Sequence, residues 1–139
     1  MIAFMHKPSI DSLVRGLDAN PSLQLEPAQE SLILAICFAA VVSMTPQKCL
    51  SVLGEDHDIC INEYSIAVRR ALGKANIIST QDIRVLQASV LFLLCLRRCG
   101  DSRLVWAEAA IVVRVAQRLG VHRDGEHLDL SPFEAEMRR

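Results

Sequence analysis

A chain of 139 residues with a formal charge of −1 is too short for more than one domain and too weakly charged to grip nucleic acid through its phosphates, which takes a surplus of Lys and Arg. Hydrophobic residues make up 51% but aromatics only 4%, so a core here is built from aliphatic side chains, and with strand signals nearly absent the expectation is helix packed on helix. The five cysteines, Cys37, Cys49, Cys60, Cys95 and Cys99, contain no C-x-x-C pair, which argues against a metal-binding spacing and for small core residues in a reducing compartment.

The first ten residues lack the apolar stretch of a secretory signal. Ile10, Leu13, Val14 and Leu17 recur at helical spacing, with Asp11 in the first turn and Asn20-Pro21 as the stop. After a connector, Pro27 suits the first turn of a second helix over 28–44. That helix is apolar on every side from Leu32 onward and is expected to be surrounded by protein. Its apolar run, Leu32 to Met44, is shorter than the roughly 18 residues that span a bilayer. Thr45-Pro46 ends it, a short helical turn over Gln47–Leu53 follows, and Gly54-Glu55-Asp56 reads as a loop.

Residues 58–75 read as an amphipathic helix. Tyr64, Ala67, Val68, Ala71 and Ala75 share one face; Asn62, Glu63, Arg69, Arg70 and Lys74 share a solvated one. Asn76–Thr80 connects, with Ser79 or Thr80 as a helix cap. Residues 82–99 are apolar almost all round and are expected to be the central helix. Gln87 on it would need a hydrogen-bond partner, most simply a loop carbonyl.

Gly100 can close that helix in the left-handed conformation and Asp101 can cap the next, so the two long helices should form a tight αα-hairpin over about 82–119. In the second arm Arg103, Ala107, Arg114, Gln117 and Arg118 lie on one side and Leu104, Val105, Ala109, Ile111, Val112, Val115, Ala116 and Leu119 on the other. Glu108 breaks this pattern, sitting among Leu104, Ile111, Val112 and Val115. A carboxylate there is costly unless paired, so it is expected at a rim or against an arginine such as Arg98; the sharper alternative is an acid lining a pocket. Gly120 ends the arm, and 121–125 form a loop. Ser131-Pro132-Phe133-Glu134 is a capping box that launches a last helix, and the chain reads as cut inside that element. The fold class is therefore all-α: an irregular bundle of about six helices in one domain over 1–139, centred on the hairpin.

Several residues of this stretch carry a family resemblance. Leu86-Gln87-Ala88, Gly100-Asp101, Trp106, Arg114, Ala116, Leu119-Gly120-Val121-His122-Arg123-Asp124 and Leu130-Ser131-Pro132-Phe133-Glu134 with Glu136 and Arg138-Arg139 together resemble the fungal-specific transcription factor domain. This is the middle homology region of fungal zinc-cluster regulators. His6-Lys7-Pro8 is similar to its H-x-P-like opening. The resemblance covers 86–139 strongly and the rest weakly, and the chain stops where the family continues with R-L-W-W. It implies an all-α regulatory or interaction segment of a nuclear RNA polymerase II regulator. In that family DNA binding and zinc belong to a six-cysteine cluster, which these 139 residues do not contain. It also implies that Gln87, Gly100, Asp101, Trp106, Arg114, Gly120, His122, Arg123, Asp124, Ser131, Glu134 and Arg138 are structural, with His122, Arg123, Asp124, Glu134 and Arg138 tying the post-hairpin loop to the last helix through charge-assisted hydrogen bonds.

Three functions follow. The first is a regulatory module meeting protein partners or a small-molecule effector, with no direct contact to nucleic acid or membrane. The second is a protein that binds or transforms a hydrophobic small molecule between its helices, with Glu108, His122 and Asp124 as the available acid–base groups. No spacing marks a nucleophile with its base, a phosphate loop or a metal site, so a non-catalytic role is favoured. The third is simple pairing of two copies.

Overall fold

The computed structural model describes residues 24–100 and 102–121, together with Asp11, Ser12 and Arg15, which are helical and exposed. Among the described residues there are five full helices and no strand. They are α1 (Pro27–Ser43), α2 (Pro46–Leu53), α3 (His57–Lys74), α4 (Ile83–Arg98) and α5 (Ser102–Arg118). The all-α class is as the sequence reads. The helix expected over 132–139, with its cap at Ser131, lies outside the described residues, as does most of the one expected over 10–20.

Local chemistry sets the ends of these helices. Pro27 and Pro46 occupy first turns, where a missing N–H costs nothing. The Thr45 hydroxyl accepts from the Lys48 N–H at 3.3 Å and the Asp56 carboxylate from the Asp58 N–H at 2.9 Å. The cap of α4 is neither Ser79 nor Thr80. It is Asp82, which accepts from the Arg84 N–H at 2.8 Å, while the Thr80 hydroxyl accepts from the Asp82 N–H at 3.1 Å. The carboxylate outcompetes the hydroxyl because it carries full charge toward the helix N-terminus. Gly100 (φ 90°) and Gly120 (φ 71°) close α4 and α5 in the left-handed conformation, as expected. At Gly120 the exit is a Schellman turn: the Gly120 N–H donates to the Gln117 carbonyl and the Val121 N–H to that of Ala116, both at 3.1 Å.

Two ion pairs give the helix directions. Arg84 joins Glu26 at 3.0 Å, so α1 and α4 start together and run the same way. Lys74 joins Glu30 at 3.1 Å, so α3 ends where α1 begins and runs the opposite way. Helix α1 lies between α3 and α4 and makes the most extensive packing of the described helices, while α5 rests chiefly on α4. The hairpin is present, but its second arm is peripheral and α1 shares the centre with α4.

The core explains this arrangement. Phe38 of α1 and Phe92 of α4 meet with ring centroids 5.5 Å apart at a tilt of 48°, a favourable offset geometry. Around them Leu32, Ala35, Val68, Val85, Ala88, Leu91 and Leu96 are buried. Ala35, Ala88, Ser31 and Ser89 are small enough to let backbones approach. The two serines bury their hydroxyls by donating to their own helices, Ser31 to the Ala28 carbonyl at 2.9 Å and Ser89 to that of Val85 at 2.7 Å. Helix α1 is not enclosed on all sides. The strip Ile33, Ile36 and Cys37 is half-buried and Ala40 is exposed, because its packed neighbours cover only the face of Leu32, Ala35 and Phe38. A smaller cluster of Val41, Cys49 and Cys60 fastens α2 to the end of α1, where His57 Nε2 lies 3.0 Å from the Val41 carbonyl oxygen.

Candidate functional site

The chemistry-bearing residues converge where α5 leans over α3 and α4. Glu108 sits one turn before Val112, a buried residue of α5, and its side chain is 29% exposed. Helix α5 leans over α3 with that residue facing inward, so the carboxylate meets Arg69, with Nη1 3.5 Å from Oε1. The expectation of an arginine partner holds, but the arginine is Arg69 rather than Arg98. Arg98 lies at the far end of α4, lining a more polar hollow with His57 and Asn62, which Arg69 borders from its other side. Arg69 is also placed over the Phe92 ring, with its guanidinium carbon 5.4 Å from the centroid, a cation–π distance.

Beneath this pair is a cavity of about 370 Å³, near the lower end of the range for small-molecule sites. Helix α3 contributes Leu72 and Gly73 beside Arg69. Helix α4 contributes Ser89 and Phe92, and α5 contributes Ile111 and Val112 beside Glu108. Ile77 of the connector closes one end. The walls are apolar apart from the Arg69–Glu108 pair and Ser89, whose proton is committed to the Val85 carbonyl. Glu108 therefore faces a cavity and an arginine at once. That arrangement can bind and orient an apolar molecule with one polar end. It supplies no activated nucleophile among the described lining residues.

Of the other residues singled out in the sequence, Gln87 is buried in α4 and has a partner. Trp106 is 80% exposed on α5, and Arg114 is exposed beside Ile78 and Arg118. Gly100 and Gly120 hold the turns described above. Asp101, His122, Arg123, Asp124, Ser131, Glu134 and Arg138 lie outside the described residues, so the proposed grouping of Glu108 with His122 and Asp124 does too.

Arg69 is the residue that the sequence reading passed over. It is exposed, as the sequence reads, with 39% of its side chain open, but its position one residue after Val68 and three before Leu72, both buried, puts it at the edge of the packed face. Its partner is 39 residues away on another helix, and periodicity within one helix cannot find such a pairing.

Cys49, Cys60 and Cys95 are buried, Cys37 is half-buried and Cys99 exposed. Burial pushes the thiols of Cys37, Cys95 and Cys99 up. Cys60, buried and hydrogen-bonded to Cys49, is pushed up to about 11. Cys37, Cys60 and Cys95 are thereby protonated packing groups, and among the described residues no three His, Cys, Asp or Glu side chains cluster to hold a metal. No described helix is long and apolar enough to cross a membrane.

The model of the fungal specific transcription factor domain matches residues 2–139. The chain belongs to this family. Among curated relatives it is 38% identical to the aurofusarin cluster transcription factor aurR2 of Gibberella zeae over 97% of this chain and 20% of that protein. It is 34% identical to the pyriculol/pyriculariol biosynthesis cluster transcription factor 1 of Pyricularia oryzae over 100% of this chain and 18% of that protein. With the C6 finger domain transcription factor adaR of Aspergillus niger the identity is 33% over 91% of this chain and 16% of that protein. The chain thus spans about a fifth of the length of the curated relatives it matches. No solved structure matches it. The family places these residues in the middle region of a transcription factor, apart from the cysteine cluster after which such factors are named.

Proposed function

We infer that this segment is the single regulatory domain, 1–139, of a nuclear regulator that controls a fungal biosynthetic gene cluster. The observation that carries this reading is the match over nearly the whole chain to one stretch of two cluster-specific transcription factors. The segment restrains or releases the activity of the regulator by packing against its other parts, by meeting protein partners, or by taking up a small effector. DNA recognition and any zinc are supplied by a cysteine cluster elsewhere in the regulator. The weak charge supports that division of labour. His122, Arg123, Asp124, Glu134 and Arg138 are assigned structural roles in it.

The test is a reporter assay in a fungal host. The chain is placed between a heterologous DNA-binding domain and an activation domain. The control carries a flexible linker of the same length. The expected result is reporter output several-fold below the control, restored when the core is broken by Phe92→Ala. Equal output from chain and linker would overturn the regulatory reading. A catalytic role gains no support from the site, since Glu108 is held by Arg69 and the Ser89 hydroxyl is bonded to its own helix.

A further inference from the structure

We propose that the cavity between α3, α4 and α5 is a binding site for a small apolar molecule bearing one anionic group, with Arg69 as the anion-recognising residue. The meaning of the site rests on the regulatory reading above; its existence does not.

Three observations carry the proposal. The cavity has the volume of a ligand pocket and walls of aliphatic and aromatic side chains, Leu72, Ile77, Phe92 and Val112 among them, which favour an apolar guest. Arg69 is held at the cavity over the buried Phe92 ring, its guanidinium carbon 5.4 Å from the centroid, so the charge stays beside the apolar walls. The polar end of the cavity is a guanidinium. It has five N–H donors, and Glu108 takes one of them at 3.5 Å, well beyond the 2.7–2.9 Å of a tight charge-assisted bond. A carboxylate or phenolate on the guest can use the remaining donors, bidentately in the case of a carboxylate, and can draw Arg69 from Glu108. Either charge would meet a like charge here, but Glu108 already has a further partner besides Arg69, whereas Arg69 keeps donors unused. The site therefore favours anions.

Gly73 gives a clean way to close the cavity. It lines the space from within α3, it has no positive φ, and a Cβ built there meets no atom within 4 Å. Gly73 is exposed at the rim, so leucine there is expected to reach over the cavity while removing a helix-weakening glycine, and the fold is expected to hold.

The experiment titrates the full chain with three probes of one shape and different charge: naphthoate, naphthalenemethanol and naphthylmethylamine. Binding is followed by methyl NMR shifts and by calorimetry. Naphthoate should shift the methyls of Leu72, Ile77, Ile111 and Val112 and bind about tenfold or more tighter than the alcohol, as one charge-assisted hydrogen bond gives. Naphthylmethylamine should bind weakest. Gly73→Leu should abolish the shifts from all three while leaving the helical circular dichroism intact. Arg69→Gln should erase the preference for the anion but keep binding of the alcohol. Glu108→Gln, which removes the competing carboxylate, should tighten naphthoate several-fold, and it stands as the independent check should Arg69→Gln fail to fold. The proposal is overturned if none of the probes binds, if the amine or alcohol matches naphthoate, if Gly73→Leu leaves the shifts in place, or if the shifts map to the outer face of α5 near Ile78. Such a failure removes the ligand site alone. The regulatory reading is decided separately by the reporter assay.

Discussion

Asp82 shows how one side chain can both start a helix and tie two together. Its carboxylate caps α4 and also meets the Arg84 guanidinium at 2.6 Å, and Arg84 in turn reaches Glu26 at the start of α1. Burial pushes the Asp82 carboxyl up, but the hydrogen bonds and charge of Arg84 outweigh it and hold the group below the usual carboxylate range. A carboxyl whose pKa is lower in the fold than in the unfolded chain contributes stability above its unfolded value of about 3.9 and loses it as pH falls through the lower folded value. Asp82→Ala should therefore cost about 1 kcal/mol near neutral pH, mostly the lost cap, with little added by the partly exposed ion pair. The melting curves of wild type and variant, followed by circular dichroism, should converge as pH falls below about 4. A constant gap down to acid pH would mean that the charge of Asp82 contributes nothing. The sequence points to a cap here but to the hydroxyls of Ser79 or Thr80. Asp82 was hidden because it also opens an apolar run and so reads as the helix's first residue. The thiols give a second residue-scale prediction. Thiolate is the reactive form, so iodoacetamide at mildly alkaline pH should label exposed Cys99 first. Cys60, buried and pushed up to about 11, should be labelled only on unfolding.

At the scale of helices, the difference between α4 and α5 is what the apolar patterns could and could not reveal. Both arms of the hairpin read correctly as helices, and their glycine stops at Gly100 and Gly120 were legible because a left-handed exit has a residue-specific signature. Which helix shares the centre with α4 was not legible. The continuous apolar run of α1 marks a core helix but overstates its enclosure, since Ala40 is exposed, and it does not show that α1 packs between α3 and α4, because partner choice is set by matching surfaces on distant segments. Nor did the pattern show that Trp106 faces outward while Phe38 and Phe92 meet inside. The energetic consequence is large. Phe92→Ala should cost about 3–5 kcal/mol, because it removes the aromatic contact with Phe38 and enlarges a space that is already part cavity. Trp106→Ala, at a position 80% exposed, should stay within about 0.5 kcal/mol. Urea denaturation of both variants checks this, and a comparable loss in the two would place Trp106 in a packed interface that the described residues do not form. The candidate site was legible only in part, since Glu108 stood out as a carboxylate on an apolar face. Arg69 and Gly73 did not stand out, because an arginine and a glycine near a solvated face are ordinary until a second helix closes over them.

Across the whole molecule, stability is expected to fall from the α1–α4 centre toward α5. Helix α4 buries nine of its residues, whereas α5 buries only Val112 and Val115. Beyond those, half-buried Leu104 and Val105 pack against the core, and α5 is fastened by the Arg69–Glu108 pair near its middle and by Arg118 donating to the Thr80 carbonyl at its end. Regions with few buried apolar contacts open locally at lower free energy than the core. Native-state hydrogen exchange should therefore show α1 and α4 opening only with global unfolding, and α5 exchanging measurably faster. Because the Arg69–Glu108 pair is partly exposed, it contributes on the order of 1 kcal/mol or less. Arg69→Ala should accordingly speed exchange in α5 by about tenfold at most and leave α1 and α4 unchanged. Equal protection in α4 and α5 would show instead that the hairpin opens as one unit, and then the cavity could not be entered by a movement of α5 alone. If the gradient is present, α5 is the wall that moves. A guest that draws Arg69 from Glu108 would then loosen one fastening of that wall while filling the space beneath it. Occupancy of the cavity would in this way be coupled to the position of the helix that carries Trp106 at the surface.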